Sequence, residues 1–236
     1  MGGLEQMPPA AKLKELEGRI AGLGETAAPA AIRGRIGDLI GAVTEARAAL
    51  LSDATDGLDR AARALVNCYW LTGHGWRRYL AEEGDAAGLG SRIGEALAAD
   101  LRPIADEVRR RLAGMPVGRV ARTDDGYEVG CSICGERAVT FRSGDGSMEV
   151  ISLSPVNLTT RREAIGSEWL GESAANKVAA VFEQMAAAGG NGCAVYCPAC
   201  KRIYCRAHYA VEAVWSGSWH EASYATCPLG HEREFE

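Results

Sequence analysis

Eight side chains in the C-terminal half of the chain have the types and spacing of metal ligands. They form four close pairs: Cys131 and Cys134, Cys197 and Cys200, Cys205 and His208, and Cys227 and His231. Thiolates and imidazoles are the ligands that Zn²⁺ prefers, and a Cys-x2-Cys turn lets two sulfurs approach one ion from adjacent corners of a tetrahedron. Eight ligands are the number that two closed tetrahedral sites need, so the sequence predicts two zinc ions.

The spacing between the pairs indicates how they are shared. The second and third pairs are only four residues apart, so they are poorly placed to clasp one ion together, whereas alternating pairs can interleave. We therefore predict a cross-brace in which the first and third pairs bind one zinc and the second and fourth pairs bind the other. Cys193 and His220 are reserve candidates if one of the eight is not a ligand.

We expect both zinc ions to be structural. A catalytic site leaves one coordination position open to water and normally uses fewer thiolates, whereas each predicted site has three thiolates and an imidazole. The ions would contribute folding energy to a finger region that has little apolar core of its own. No residue is predicted to be catalytic.

Net charge, apolar runs and cysteine content indicate which partners and which cellular compartment to expect. The formal charge of −5 disfavours nucleic-acid binding, which needs a surplus of Lys and Arg on some face. No run of eighteen apolar residues predicts a membrane span, and the N-terminus does not resemble a signal peptide. We therefore expect a cytoplasmic protein that does not bind membranes. In that reducing compartment, eight cysteines indicate metal rather than disulfides.

The elements that precede the ligands are predicted to be helical. Apolar residues recur at helical spacing in four stretches, Leu13 to Leu23, Ile32 to Leu50, Leu58 to Leu71 and Ile93 to Leu112. We interpret residues 1–10 as disordered and residues 11–115 as a helical domain, either a bundle or an arm that binds a partner or forms a homodimer. A plain scaffold is the alternative.

The periodicity becomes strand-like after Pro116, and residues 116–236 are predicted to form the zinc domain. Tyr127 to Val129 leads into the first ligand pair, and Arg137 to Arg142 and Met148 to Leu153 alternate around a Gly-rich turn, as a hairpin would. Residues 173–188 have helical spacing. The sequence thus predicts an α+β fold, with a β-hairpin and one helix inserted between ligand pairs.

The ligand-bearing segments resemble cross-braced zinc fingers. Cys131-Ser-Ile-Cys134 is similar to the RING opening Cys-x-Ile-Cys, and Cys227-Pro-Leu-Gly-His231 is similar to the RING closing Cys-Pro-x-Cys. The central Cys197 to His208 has the spacing of FYVE-type fingers and the related PHD group. The resemblance covers residues 127–236 and implies a RING-like or treble-clef fold. It departs from RING domains in the 62 residues between the first two pairs and in both histidines.

The RING resemblance implies an E3 ligase. Such a protein recruits an E2 enzyme charged with ubiquitin or a ubiquitin-like modifier, and promotes transfer without a covalent intermediate by orienting the thioester. The Ala-, Gly- and Arg-rich composition suggests a bacterial conjugation system. Ile133, Trp215 and Trp219 would contact the E2, and Arg233 would correspond to the linchpin arginine that touches both E2 and modifier. The alternative is a non-catalytic zinc-finger adaptor that binds a protein or lipid partner, with these residues serving internal packing.

Overall fold

Long helices precede a series of strands, so the fold is α+β. The computed structural model describes residues 30–52, 54–73, 88–143, 147–153, 160–166, 178–183 and 195–235. The chain divides into two compact units, Met1–Val108 and Arg109–Glu236.

Three long helices occupy the described part of the N-terminal half: α1 (Ala30–Leu51), α2 (Gly57–Leu71) and α3 (Leu89–Leu112). They confirm the helices predicted for these stretches. The helix predicted for Leu13 to Leu23 and the tail predicted to be disordered, residues 1–10, lie outside the described residues. Within the described ranges, none of the helices has the length and apolarity needed to cross a membrane.

A proline lies inside α3. The helix begins at Leu89 and continues through Pro103. Proline removes one backbone donor from a helix interior. Burial of Leu101 and Ile104 on either side of Pro103 offsets that loss.

The first unit is held together by close helix packing. Leu39 and Val43 of α1 and Leu65 of α2 are fully buried. Buried alanines along α1 and α2 let the two backbones approach, because a methyl group occupies little of the interface. Arg47 of α1 also forms an ion pair with Asp100 of α3, with 2.8 Å between Nη2 and Oδ1.

The described part of the second unit contains three antiparallel sheets. Strands β1 (Val120–Thr123), β2 (Gly126–Gly130), β3 (Arg137–Ser143), β4 (Ser147–Leu153) and β5 (Thr160–Gly166) form a meander in sequence order. Strands β6 (Tyr196–Cys197) and β7 (Arg202–Ile203) pair with each other. Strands β8 (Ala210–Ser216), β9 (Trp219–Thr226) and β10 (Glu232–Phe235) form the third sheet, with β9 in the centre.

The second unit contains more strands than the predicted hairpin. The hairpin itself is confirmed, because β3 and β4 pair with Ser143 opposite Met148. However, β1, β2 and β5 extend it to five strands, and a further three-stranded sheet lies between and after the last two ligand pairs. Residues 178–183 are helical (α4) and lie within the predicted helix 173–188, whose remaining residues fall outside the described ranges.

The second unit has an apolar core, so the expectation of a finger region with little core is wrong. Phe182 of α4 stacks on Tyr196 with 5.4 Å between ring centroids and lies 5.7 Å from the ring of Phe141. The inserted strands and α4 supply most of the buried cluster, which comprises Val129, Ala138, Val139, Phe141, Val150, Val178, Val181, Phe182, Val195, Tyr196 and Ile203. Bound metal would therefore supplement a core rather than replace one.

Candidate metal centre

The structure brings the eight predicted ligands together as two groups of four. In each group the ligand atoms lie within 4.8 Å of one another. The first group is Cys131, Cys134, Cys205 and His208, and the second group is Cys197, Cys200, Cys227 and His231. These are the alternating pairs on which the cross-brace prediction rested, and each group can hold a metal ion.

The first group has the dimensions of a tetrahedral site. Cys134 Sγ lies 3.7 Å from Cys205 Sγ, and His208 Nδ1 lies 3.5, 4.0 and 3.2 Å from the sulfurs of Cys131, Cys134 and Cys205. Tetrahedral zinc with ordinary bond lengths would separate two sulfurs by about 3.8 Å and a sulfur from a nitrogen by about 3.6 Å. The four donors therefore surround a space of the right size for one ion.

The second group meets the same test. Cys200 Sγ lies 4.0 Å from Cys227 Sγ, and His231 Nδ1 lies 3.8 Å from Cys197 Sγ and 3.5 Å from Cys227 Sγ. Three sulfurs and one imidazole nitrogen form a donor set that suits Zn²⁺ and closes its coordination sphere. Cys200 and His231 are partly exposed, whereas only Cys134 is partly exposed in the first group.

One thiol in each group has a strongly lowered pKa. A hydrogen bond from Cys205 outweighs burial and, with one from His208, lowers the pKa of Cys131 to about 3. Hydrogen bonds from Cys200 and Cys227 lower the pKa of Cys197 to about 2. The same hydrogen bond to Cys197 raises the pKa of Cys200 to about 11. Each group thus favours one thiolate, and a cation is needed to stabilise the other sulfurs as thiolates.

Left-handed residues shape the turns that carry the ligands. Gly135 (φ 78°) and Lys201 (φ 53°) each directly follow the second cysteine of a Cys-x2-Cys pair, and Gly230 (φ 81°) directly precedes His231. A left-handed residue reverses the chain within one turn and lets paired ligands converge. Lys201 adopts this conformation despite its side chain, which indicates that the surrounding structure constrains the turn.

Ser132 joins the first ligand turn to β7. Its backbone N–H donates to Ile203 O at 2.8 Å, and its hydroxyl oxygen accepts from Ile203 N–H at 3.3 Å. The hydroxyl also donates to Val117 O. Because β7 connects Cys200 to Cys205, these bonds hold ligand-bearing segments of both groups together.

Tyr204 lies beside the second group, a contact that the sequence analysis did not predict. It is fully buried, and its hydroxyl lies 3.3 Å from Cys200 Sγ, where it would donate to a metal-bound thiolate. Hydrogen bonds from outside the ligand set orient ligands and tune the metal. The sequence could not reveal this contact, because a tyrosine between two metal ligands is equally consistent with a residue that only packs in the core.

The four residues predicted to contact a partner differ in exposure. Trp215 and Trp219 are 55% and 79% exposed at the β8–β9 turn. Ile133 is only 9% exposed. Arg233 is engaged within the unit, because its Nη1 donates to Tyr196 O at 2.6 Å and its guanidinium lies 5.0 Å from the Phe235 ring centroid. The tryptophans are thus the members of this set that a partner can reach.

The reserve candidate His220 belongs to neither group of ligands. His220 lies on β9, where Nε2 is 2.7 Å from Ser223 Oγ and the ring packs edge-on against Trp215 with 5.2 Å between centroids. Cys193 lies outside the described residues.

The basic residues beside the central ligands have structural contacts. Arg202 donates to three backbone carbonyls at 2.6 to 3.0 Å, those of Leu112, Met115 and Pro116. Lys201 forms an ion pair with Glu183 at 2.9 Å. Both basic side chains therefore already have polar partners within the second unit.

Comparison with known proteins adds a domain range but no activity. Residues 121–236 match the model of a family described as a domain of unknown function, DUF8328. The matched range begins in β1 and contains all eight ligands. No curated protein and no solved structure matches the chain.

Proposed function

We propose that the second unit is a protein-binding module with two structural zinc ions, and that the β8–β9 hairpin contacts the partner. One observation carries this proposal: two exposed tryptophans stand on a hairpin whose ends are both metal-ligand segments. His208 of the first group lies two residues before β8, and Cys227 of the second group directly follows β9.

The donor sets support a structural role for the metals. Each group offers four protein ligands, so a bound zinc has no open position for water or substrate. Most of the ligands are also buried, which restricts access to the ion. Bound zinc would cross-link distant segments of the chain, and contacts with a partner would be made by side chains outside the ligand set.

Anchoring at both ends supports a binding role for the hairpin. Large exposed aromatic side chains supply much contact area with few rotatable bonds, and they dominate the energetics of many interfaces. A hairpin fixed by metal ligands loses little conformational entropy when a partner binds. Trp215 and Trp219 are therefore well placed as contact residues.

A protein partner fits better than a lipid partner. A lipid head group needs a basic cluster near the central ligands, but Arg202 and Lys201 are engaged by backbone carbonyls and Glu183. The last sheet carries an excess of glutamates, which would also repel nucleic acid.

Elemental analysis of the natively purified full chain tests the metal part of the proposal. We expect two equivalents of zinc per chain, and one equivalent after Cys205→Ser or Cys227→Ser, because each substitution removes a ligand from one group only. The absence of zinc from the wild type would reject the proposal.

The binding part is tested with a partner that is cross-linked to the chain, identified and purified. We expect Trp215→Ala combined with Trp219→Ala to weaken binding of that purified partner at least tenfold while zinc content stays unchanged. Trp70→Ala is the matched control, because Trp70 is an exposed tryptophan in the first unit. Equal affinity of all three proteins would reject the hairpin as the contact surface.

A RING-type ligase is the second candidate, favoured by the interleaved ligand order and the exposed tryptophans. Its test is single-turnover discharge of a charged E2 with and without this protein. A ligase accelerates discharge, and Trp219→Ala removes the acceleration without loss of zinc. Because Ile133 is buried, Ile133→Ala alters packing as well and is the less specific variant. If this protein does not change the rate of E2 discharge, the ligase is rejected and the non-catalytic adaptor is retained.

A further inference from the structure

Strand β8 forms an open edge of the last sheet. Within the described residues, β9 lies in the centre of this sheet and β8 pairs with β9 alone. No backbone hydrogen bond in the described ranges joins Val211, Ala213 or Trp215 to a residue outside this sheet. We call these three residues of β8 the edge residues.

The turn at the hairpin tip decides which backbone groups point to the open edge. Gly217 and Ser218 join β8 to β9, and Gly217 has φ 59°, as the first central residue of a type II′ turn does. Such a turn closes on a hydrogen-bonded pair, here Ser216 and Trp219. Because positions along a strand alternate, the N–H and C=O groups of the edge residues point away from β9.

The irregular pairing near the tip leaves β8 itself regular. Val214 pairs with Ala222 and Trp215 pairs with His220, so the extra residue, Glu221, belongs to β9. Side chains and hydrogen-bonding groups therefore alternate along β8 without interruption. The edge residues span about 14 Å at the usual rise per residue. They present three donors and three acceptors over that length.

The side chains of the edge residues share one side of the sheet and are accessible. Ala213 is exposed, Val211 is half-buried, and the Trp215 indole is 55% exposed. His220, opposite Trp215, packs edge-on against the indole with 5.2 Å between ring centroids. An apolar strip therefore lies beside the outward main-chain groups.

β8 has little of the protection that other edge strands have. Charged side chains, proline and short length are common devices against unwanted pairing. β10 has charged residues at three of its four positions, β5 has Arg161, Arg162 and Glu163, and β1 has only four residues, one of them Arg122. β8 has seven residues, no proline and one charged residue, Glu212. Such an edge is suited to strand addition.

An extended peptide segment is the occupant that fits this edge. Donors and acceptors that recur at every second residue match the backbone of another strand, whereas a helix pairs its backbone groups internally. Apolar or β-branched side chains at alternate positions of the segment would cover Ala213 and Trp215. Glu212 projects from the opposite side of β8, so this strip does not select a charged segment.

We propose that an extended segment of the partner protein adds to the open edge of β8 as a further strand of the last sheet, an inference that rests on the proposed protein-binding function. Its backbone pairs with the edge residues, and its alternate apolar side chains pack against Ala213 and Trp215. The segment has about five residues, which is the length of strand that faces Val211 to Trp215. Main-chain pairing supplies affinity, and contact with the indole supplies specificity.

Residue-resolved hydrogen exchange of the zinc-loaded full chain tests this inference. In the free chain, we expect the amides of the edge residues to exchange at least about tenfold faster than those of Glu212 and Ser216, which point to β9. Saturation with the partner that was purified after cross-linking should slow exchange at the edge residues by about tenfold or more. Contact through side chains alone would not protect alternate amides.

A proline at position 213 separates main-chain pairing from side-chain contact. Ala213→Pro removes an N–H that points away from β9, so pairing with β9 is kept while the open edge is blocked. It should weaken binding of the purified partner at least about tenfold. Ala213→Val is the matched control, because it keeps the N–H and favours strand, and it should change the affinity less than about threefold. Zinc content and circular dichroism confirm that both variants are folded.

The outcomes separate this inference from the proposed function. Slow exchange of the edge amides in the free chain means that the edge is already covered and overturns the inference. The cover is a second copy if the protection depends on protein concentration. Equal affinity of Ala213→Pro and Ala213→Val also overturns it, and the protein-binding module stands if Trp215→Ala combined with Trp219→Ala still loses the partner. If that tryptophan variant and Ala213→Pro both bind the partner as wild type does, the proposed function fails as well.

Discussion

At the residue scale, the surroundings of each sulfur decide how firmly its metal would be held. In the first group only Cys134 is partly exposed, whereas in the second group both Cys200 and His231 are. In the second group the buried Tyr204 hydroxyl lies 3.3 Å from Cys200 Sγ, where it would donate to a metal-bound thiolate and help to hold it. The two sites should therefore differ in how they respond to substitutions just outside the ligand set.

Replacing Tyr204 tests this hydrogen bond. Tyr204→Phe removes the hydroxyl that contacts Cys200 Sγ at 3.3 Å and should weaken metal binding at the second group by about tenfold. Competition against a chromophoric chelator measures the loss. Tyr196→Phe is the control, because its hydroxyl is buried without a hydrogen-bond partner among the described residues. Equal loss in both variants would contradict a specific role for Tyr204.

A methyl group at Gly135 should destabilise the first ligand turn. Gly135 has φ 78°, which costs an L-residue about 1–2 kcal/mol, so Gly135→Ala should lower the free energy of unfolding by that amount. Gly94→Ala is the opposite case. A Cβ there meets open space within α3, and alanine should stabilise the helix by about 0.5–1 kcal/mol. Denaturant titration measures the free energy of unfolding of both variants. If Gly135→Ala were stabilising, the left-handed backbone at Gly135 would not be the constraint we describe.

At the scale of elements, Arg202 ties the end of α3 to the metal-binding region. Its two Nη atoms donate to the carbonyl of Leu112, the last residue of the helix, and to the carbonyls of Met115 and Pro116, which follow the helix. A cation at this position also interacts favourably with the helix dipole. The residue therefore stabilises the chain segment that leads from the helix into β1.

Arg202→Ala should lower the free energy of unfolding of the second unit by about 2–3 kcal/mol, because charge-assisted hydrogen bonds are lost from partly buried carbonyls. Thermal denaturation with zinc in excess measures the change. Lys201→Ala is the comparison, since its ion pair with Glu183 is solvent-exposed and should contribute less than about 1 kcal/mol. A larger effect at Lys201 than at Arg202 would be inconsistent with this interpretation.

The sequence predicted elements where side chains alternate or recur clearly, and missed those where they do not. β3 and β4 alternate around a Gly-rich turn, and their pairing is confirmed. β5 was missed because Arg161, Arg162 and Glu163 interrupt any alternation. β8 and β9 are rich in alanine, which favours helix, although Gly217-Ser218 between them is a hairpin signal that could have revealed them.

The same contrast applies to the candidate site. The grouping of ligands could be inferred because only alternating pairs are spaced to interleave. The contacts of Arg202 and Tyr204 could not be inferred from the sequence, because they depend on which backbone carbonyls and which sulfur the fold places beside these side chains. Ile133 and Arg233 were expected at an interface, but both lie against the unit's own residues. A motif specifies residue types and does not specify which side chains the core encloses.

At the scale of the whole molecule, the two groups join segments far apart in sequence. The first group connects the β2–β3 turn of the meander sheet to the turn before β8, and the second connects β6 and β7 to the turn before β10. The meander sheet and the α1–α2 pair have buried apolar contacts of their own. Metal removal should therefore affect parts of the chain unequally.

Hydrogen exchange before and after chelation tests this expectation. Removing the metals should reduce amide protection most in residues 196–235, which carry six of the eight ligands, and leave most protection in β2 to β4 and in α1 and α2. Re-addition of zinc should restore the protection. Uniform loss across the chain, or no change in residues 196–235, would contradict the view that the metals stabilise this region selectively.

The interleaved order of the ligands also has a consequence during translation. Cys134 is synthesised 71 residues before Cys205, with which it shares a group. At usual elongation rates this leaves the first thiol pair without its counterpart for about 4–14 seconds. A nascent chain carrying half of a metal site is open to oxidation and to capture of the wrong ion, so the supply of the correct metal during synthesis would affect the yield of correctly assembled protein.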